Sequence, residues 1–384
     1  MKFLRQFNWI LFLSMLVLIG LGTVTIWSAG HARETVFHGM WKNNLSTAVF
    51  GLVLYFILAK IDYRRFLRLF SWPLYGGALV MLVAVLMVGS TVYGGKRWLW
   101  FFQPSEISKL CIISLLSAFL GNESRRLGFR TFLLTGLLVG VPCLLILKEP
   151  DLGTTLTLVP AVVLMMLLSG VWRRGLIALV AVGCIGAMAI LGAVYEAEKP
   201  GVSPERREKI LRVLPLKPHQ VKRVRVFLFP EEDLQGAGYN LREALIAIGS
   251  GGFSGKGIGK AETNRLKYLL PSVSMNDFIF CVYAEETGYV GSLLLLALFA
   301  GIVLPGCWIA FWTEDRRGRL LAVGVSSLVF AHVYIKIAMS IGLLPITGLP
   351  LPFISSGRTF LVTVMCGLGL VQSVSLHRDP IDED

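Results

Sequence analysis

Between Trp9 and Val374 the chain holds about ten apolar stretches of some 20 residues each, the length of helix needed to cross a hydrocarbon core about 30 Å thick. Backbone N–H and C=O groups find no water inside a bilayer, so a chain built this way must satisfy them within helices. The 55% hydrophobic content and the mean hydropathy of +0.68 leave no soluble alternative. The spans read as residues 9–28, 43–60, 70–89, 104–120, 131–147, 152–171, 175–195, 277–312, 320–340 and 353–373. Segment 277–312 is long enough for a helix followed by a re-entrant turn at Pro305, and it is read as one long tilted span. The expected fold is an all-α polytopic membrane protein of about ten transmembrane helices forming a single membrane domain over residues 1–384. A large extracytoplasmic loop, residues 196–276, is inserted between helices 7 and 8.

Basic residues of the short loops set the orientation. Lys2 and Arg5, Arg64 with Arg65 and Arg68, Arg125 with Arg126 and Arg130, Arg173 with Arg174, and Arg316 with Arg317 and Arg319 fall at alternate span ends. Those ends are expected to be cytoplasmic, with both termini inside. The loops holding His31, Trp98, Glu149, the long segment and Pro350 then lie outside, a parity that ten spans satisfy. The start of the chain imitates a signal peptide, with Ser28-Ala29-Gly30 in the place of a cleavage site. Its apolar run of about twenty residues exceeds the usual core of about 7 to 15, so it reads as an uncleaved first helix.

The net charge of +13 does not require nucleic acid, because topology and contact with anionic lipid account for the basic turns. They do not account for Lys217, Lys222, Arg223, Arg225, Arg242, Lys256, Lys260, Arg265 and Lys267, all in the long loop. Within it, residues 216–230 (LKPHQVKRVRVFLFP) alternate basic and apolar side chains, a pattern suited to lying on a membrane surface with cations toward phosphates. The glycine-dense run 247–259 permits positive φ and close backbone approach, so its N–H groups could cradle an anion. A flexible connector is the alternative; the interleaved Lys256 and Lys260, with Asp277 nearby, favour phosphate handling. The six cysteines lie in apolar stretches without metal spacing and read as packing residues, and the five histidines form no zinc motif. No nucleotide-binding fingerprint is present.

The loop closes on Asn276-Asp277-Phe278-Ile279-Phe280, where an apolar helix starts directly after an acid. Asp277 is either that helix's N-cap or a carboxylate at the membrane mouth, partly desolvated and poised as a base. Glu285 and Glu286 follow about two turns on, and an acid at membrane depth is functional or paired by default. Glu106 and Lys109, three residues apart, read as a pair within their own helix. Lys148, Glu149 and Asp151 sit at an outer helix end, as substrate contacts or as an ion-pair cluster.

Several long motifs now converge: GAGYN at 236–240, AIGSGGFSGKGIG at 247–259, NDFIF at 276–280 followed by AEETG, KEPDLGT at 148–154, QPSEISK at 103–109 and GLLPITGLPLPFISSG at 342–357. Together they resemble the SEDS family (shape, elongation, division and sporulation), and the LKP at 216–218 resembles its RodA-like branch. The resemblance implies a ten-span membrane glycosyltransferase that polymerises lipid II into β-1,4 glycan strands outside the bacterial cytoplasmic membrane, in cell elongation and shape maintenance. It implies Asp277 as the catalytic acid, the residue that position alone singles out. The substrate site is expected to draw on Lys256, Lys260, Arg223, Lys148, Asp151, Glu106, Lys109, Ser355 and Ser356. A divalent cation, Mg or Mn, is expected as a cofactor without a recognisable binding motif, and a class B penicillin-binding protein is the implied partner.

The chain departs from the family in three places. The family's His and Thr before the Asp are Met275 and Asn276, with Pro271 one residue further from the Asp; its Asn-Ile-Gly-Met is Lys336-Ile337-Ala338-Met339; and its Tyr-Gly-Gly is Ser356-Gly357-Arg358. The last two each add a cation. Lys336 or Arg358 then supplements charge neutralisation near an anionic substrate, or snorkels to the interface. Pro345, Pro350 and Pro352 stiffen the last outer loop and are expected to shape a groove for the polyprenyl tail or a partner helix. Two other functions compete. A lipid II flippase would be expected to show inverted repeats with broken helices, and no such internal symmetry is visible; a non-catalytic scaffold would not need an acid beside a basic glycine-rich loop.

Overall fold

A computed structural model describes residues 6–31, 39–92, 95–100, 102–122, 128–149, 151–199, 202–214, 216–233, 236–262 and 276–378. The chain runs through α1 (Trp9–His31), α2 (Met40–Lys60), α3 (Tyr63–Val88), a hairpin of β1 (Ser90–Val92) and β2 (Gly95–Trp98), then α4 (Pro104–Leu120), α5 (Phe129–Lys148), α6 (Leu152–Ser169) and α7 (Arg173–Ala197). Next come α8 (Pro204–Val213), α9 (Pro218–Leu228), a 3-10 turn (Pro230–Glu232) and α10 (Ala237–Ser250). The chain ends with α11 (Ile279–Trp312), α12 (Arg316–Ser340) and α13 (Arg358–Leu376). Among the described residues, 8 helices are long and apolar enough to cross a membrane. Adding α4 and α6, of 17 and 18 residues, recovers the ten spans read from the sequence.

Packing separates these helices into enclosed and lipid-facing ones. α12 packs against α4, α6, α11 and α13 and is buried over most of its length, as is α4. α7 lies at the other extreme, exposing Ile177, Leu179, Val182, Ile185 and Met188. Lipid tails are as apolar as these side chains, so the bundle is held by close contact and by interhelical hydrogen bonds rather than by apolar burial from water. One such bond joins α2 to α13, Tyr55 Oη donating to Gln372 Oε1 at 3.2 Å. Another joins the turn after α2 to α13, where Ser373 Oγ donates to Ile61 O at 2.5 Å.

The long segment, expected as one tilted span, is two helices joined across a break at Gly288 (φ 67°, ψ −162°), whereas Pro305 sits inside the second without interrupting it. A break leaves carbonyls before it and N–H groups after it without partners, which is untenable at membrane depth. The glycine-dense run supplies them. Lys256 N donates to Glu285 O at 3.0 Å and Gly257 N to Glu286 O at 2.9 Å, while Tyr289 N and Val290 N donate to Gly252 O and Phe253 O at 2.9 and 3.2 Å. The run is therefore spent on docking into the helix break and is not an open anion cradle. A Cβ at Gly255 (φ 78°) would meet Glu286 O at 2.1 Å. Gly255→Val is accordingly expected to destabilise the chain by about 2 kcal/mol or more, read as a lowered midpoint of thermal unfolding; an unchanged midpoint would mean that the docking carries no stability.

The glutamates of α11 are paired by the same loop. Glu285 accepts from Lys256 Nζ and from Glu262 N, both at 2.9 Å. Glu286 accepts from the Ser28 hydroxyl of α1 and from Gly259 N at 3.1 Å. The loop between α7 and α11 is otherwise helical. Residues 204–213 form α8, and Glu198 at the end of α7 ties it down, pairing with Arg207 at 2.7 Å and with Arg225 of α9 at 3.3 Å.

Candidate active site

Asp277 lies at the entry to α11, but the N-cap of that helix is Phe278 and no side chain caps it. The helix-capping explanation of the acid therefore fails, and its carboxylate is left for other work. Its position is fixed by the loop before α13: Ser356 Oγ donates to Asn276 Oδ1 at 2.6 Å and Ser355 Oγ to Asn276 O at 3.4 Å. Ser355 also accepts from Leu351 N at 2.8 Å, which locks the loop on itself. The two serines thus hold the residue before the acid.

Two cations flank Asp277. From α12, Lys336 places Nζ 3.8 Å from Asp277 Oδ1; the lysine side chain is 0% exposed and that of the aspartate 33%. From α9, Arg223 donates through Nη1 to Thr347 O at 3.1 Å. Its Nη2 and Asp277 Oδ1 both lie 3.8 Å from the position a Cβ would take on Gly348, so guanidinium and carboxylate both border the space over that glycine. Burial lowers the pKa of the half-buried Arg223, and Arg97 pushes the same way, while Asp277 and Asp151 oppose it. Asp277, Asp151, Arg97 and Arg223 therefore share one electrostatic neighbourhood, a carboxylate among cations open to solvent on one side.

Around this centre lies a buried polar shell. Asp151 caps α6, accepting from Thr154 N at 3.1 Å and Thr154 Oγ1 at 2.8 Å, and it also accepts from Gln103 Nε2 at 3.0 Å. Glu106 and Lys109 pair at 2.7 Å, as the i,i+3 spacing predicts, with side chains 3% and 0% exposed. Lys109 also reaches His332 Nε2 of α12 at 2.8 Å and lies 5.2 Å from the ring centre of Phe360. The isolated sequence position of His332 gives no hint of this.

Glu149 is fully buried, and neither carboxylate oxygen has a hydrogen-bond partner among the described residues; Arg97 Nε bonds its backbone carbonyl at 3.2 Å instead. Burial pushes this carboxyl up to about 8, Asp151 adding to the shift and Arg97 opposing it. The folded chain thus holds the proton more tightly than the unfolded one. That contribution to stability is complete below the ordinary carboxyl range and is lost as pH rises toward about 8. Thermal unfolding should therefore show the wild-type midpoint falling over that interval and a flatter profile for Glu149→Gln; parallel profiles would contradict the assignment.

Not every expected substrate contact joins the site. Lys256 is committed to Glu285 and, at 3.4 Å, to Glu262 in the docked glycine run. Lys260 and Lys148 are exposed. Lys109 is sealed from the surface. Arg358 is exposed at the start of α13, as a snorkelling residue would be, whereas Lys336 is wholly enclosed against Asp277 and does not snorkel. Arg265, Lys267, Pro271 and Met275 lie outside the described residues.

Among the described residues no three Asp, Glu, His or Cys side chains come together as a metal-binding group. Asp277 has an ammonium on its buried side, so the residues around it do not fit a divalent cation.

The sequence profile of the FtsW, RodA and SpoVE family, described as cell cycle proteins, matches residues 8–379. The chain is 33% identical to the peptidoglycan glycosyltransferase MrdB of Escherichia coli K12, the match covering 95% of this chain and 92% of that one. It superimposes with a TM-score of 0.73 on a chain from a solved peptidoglycan synthase complex that coordinates polymerization and crosslinking, at 27% identity over 97% of this chain and 99% of that one. With the rod shape determining protein RodA of Thermus thermophilus the TM-score is 0.67, at 25% identity over 97% of both chains.

Proposed function

The chain belongs to the FtsW, RodA and SpoVE family of cell cycle proteins, and from that membership and the Asp277 site we propose that Asp277 is the general base of a membrane peptidoglycan glycosyltransferase. The enzyme polymerises lipid II into β-1,4 glycan strands and serves cell elongation and shape. The observation that carries the site assignment is the partly exposed, uncapped carboxylate of Asp277 between Lys336 and Arg223.

The chemistry needs one displacement. The donor sugar is α-linked to diphosphate in lipid II and β-linked in the glycan, so a single attack with inversion suffices and only one base is required. Asp277 takes the proton of the acceptor's GlcNAc 4-hydroxyl as that oxygen bonds to the anomeric carbon of the donor MurNAc. The bond from that carbon to the diphosphate oxygen breaks, and the electron pair leaves with the polyprenyl diphosphate. The leaving group is already acidic, so it needs cations more than a proton donor, in contrast to glycoside hydrolysis. Arg223, held to Thr347 and interacting electrostatically with Asp277, is the cation placed to meet it; Arg97 adds positive charge nearby.

The chain is a multi-pass membrane protein. In the orientation supported by its basic turns, the inner membrane holds it with both termini cytoplasmic and the Asp277 face outside. Its partner in this reading is a class B penicillin-binding protein, whose crosslinking activity would act on the strand made here, in line with the synthase complex to which the fold is similar. Reconstitution into liposomes with fluorescent lipid II tests the reading. Polymer digestible by a muramidase is expected. Movement of label across the bilayer without polymer would establish the flippase instead, and neither signal, with the partner present, the scaffold.

A further inference from the structure

We infer that Lys336 is a resident cation of the catalytic centre, standing on the buried side of Asp277 where a divalent ion would otherwise neutralise charge, so that this chain polymerises without a metal held at Asp277. The inference rests on the polymerase reading above and deepens it.

The argument begins with what a buried lysine requires. An ammonium removed from water is destabilising by several kcal/mol unless ion pairing and hydrogen bonds together satisfy it. Lys336 is 0% exposed, and its Nζ has no hydrogen-bond partner among the described residues. Its counter-charge is Asp277, at 3.8 Å, which is beyond the range of about 2.7–3.2 Å for a made N–H···O bond. A lysine retained for stability would be expected to close that gap, as Lys109 does with Glu106 at 2.7 Å and His332 at 2.8 Å in the same bundle. Lys336 instead keeps its donors uncommitted beside the base, and an unpartnered intramembrane cation of this kind marks a functional position.

The surrounding groups define what it does. Asp277 is the only carboxylate paired with Lys336 among the described residues, and no third metal-ligating side chain joins it. Arg223 and Asp277 both border the space over Gly348 and interact electrostatically. A carboxylate with a lysine on its inner side and an arginine nearby is already neutralised, and a dication brought there would meet two like charges. Lys336 therefore has two tasks. It balances the charge of the Asp277 carboxylate before the acceptor hydroxyl arrives, and once Asp277 has taken the proton its freed charge acts on the departing diphosphate.

The test compares wild type, Lys336→Met and Lys336→Arg as full-length chains, polymerising lipid II in chelator and in excess Mg2+, with Mn2+ binding to the resting proteins followed by EPR. Wild type should keep most of its rate in chelator. Lys336→Met should lose about 10²–10³-fold there and regain part of the loss with Mg2+, as expected for removal of one charge-stabilising group. Lys336→Arg, which keeps the charge, should regain chelator resistance. In EPR the wild type should hold no Mn2+ that depends on Asp277, and Lys336→Met should acquire one that Asp277→Asn removes. The inference is overturned if chelator stops wild type as completely as Lys336→Met, or if wild type binds Mn2+ through Asp277. If wild type makes no polymer in either buffer, the polymerase reading fails, and the EPR arm still decides whether Lys336 occupies the cation position.

Discussion

Asp277→Asn is expected to lower the rate of lipid II polymerisation by about 100-fold or more, the contribution of a positioned general base. Asparagine keeps the shape of the side chain and its contact with Lys336, but it cannot accept the proton of the GlcNAc hydroxyl. The loss should fall on kcat with KM little changed, because the interaction removed is made only as the proton moves. The fold should survive with a lowered unfolding midpoint, because the buried Lys336 loses its counter-charge, while the side chain itself is one-third exposed and caps no helix, and its neighbour Asn276, not Asp277, carries the bonds to Ser355 and Ser356. Asp277→Glu retains a carboxylate displaced by one methylene and should fall between the two. A rate for Asp277→Asn within a few-fold of wild type, in folded protein, would move the base elsewhere, with Asp151, the other acid acting on Arg223, the next to examine.

The second large effect concerns stability. Lys109→Met would leave Glu106 with its charge uncompensated in the bundle, its side chain 3% exposed, and would strip His332 of its partner. Breaking a buried pair from one side is destabilising by about 3–5 kcal/mol, whereas replacing both partners by uncharged groups is far less so. Lys109→Met should therefore show a sharply lowered unfolding midpoint, and Glu106→Gln in the same chain should recover most of it. A single variant as stable as wild type would mean that water or rearrangement relieves Glu106. A double variant no better than the single would show that the loss lies in the packing of Lys109 against Phe360 rather than in the charge.

The parts of this molecule legible in the sequence were those governed by local physics. Ten helices follow from apolar length, and the Glu106–Lys109 pair follows from helical spacing. The asymmetry of Asp277, an acid directly before an apolar run, is visible in one dimension. What spacing could not convey is which long-range partner satisfies a group. Proline was the obvious breaker of the 34-residue helix α11, yet Pro305 is accommodated, because the missing N–H of a proline is one hydrogen bond whereas Gly288 takes a φ that no other residue adopts without strain. The glycine run resembled an anion cradle because the backbone freedom that would wrap a phosphate also lets it fill the break at Gly288. Lys256 belongs to that same exchange, its charge used by Glu285. Lys336 was balanced between snorkelling and charge neutralisation; its enclosure beside Asp277, contributed by another helix, excludes snorkelling. His332 and the orphaned carboxylate of Glu149 belong to the same class, defined by neighbours from other helices.

The most direct measurement is the product formed from radiolabelled lipid II by the purified chain and by its Asp277→Asn variant, both shown to be folded by their unfolding midpoints. The account predicts that wild type yields long glycan digestible by a β-1,4-specific muramidase, with no sugar left covalently on the protein, and that the variant yields almost none. Equal polymer from both proteins, or a glycosylated Asp277 trapped in wild type, would contradict a single inverting displacement driven by that carboxylate.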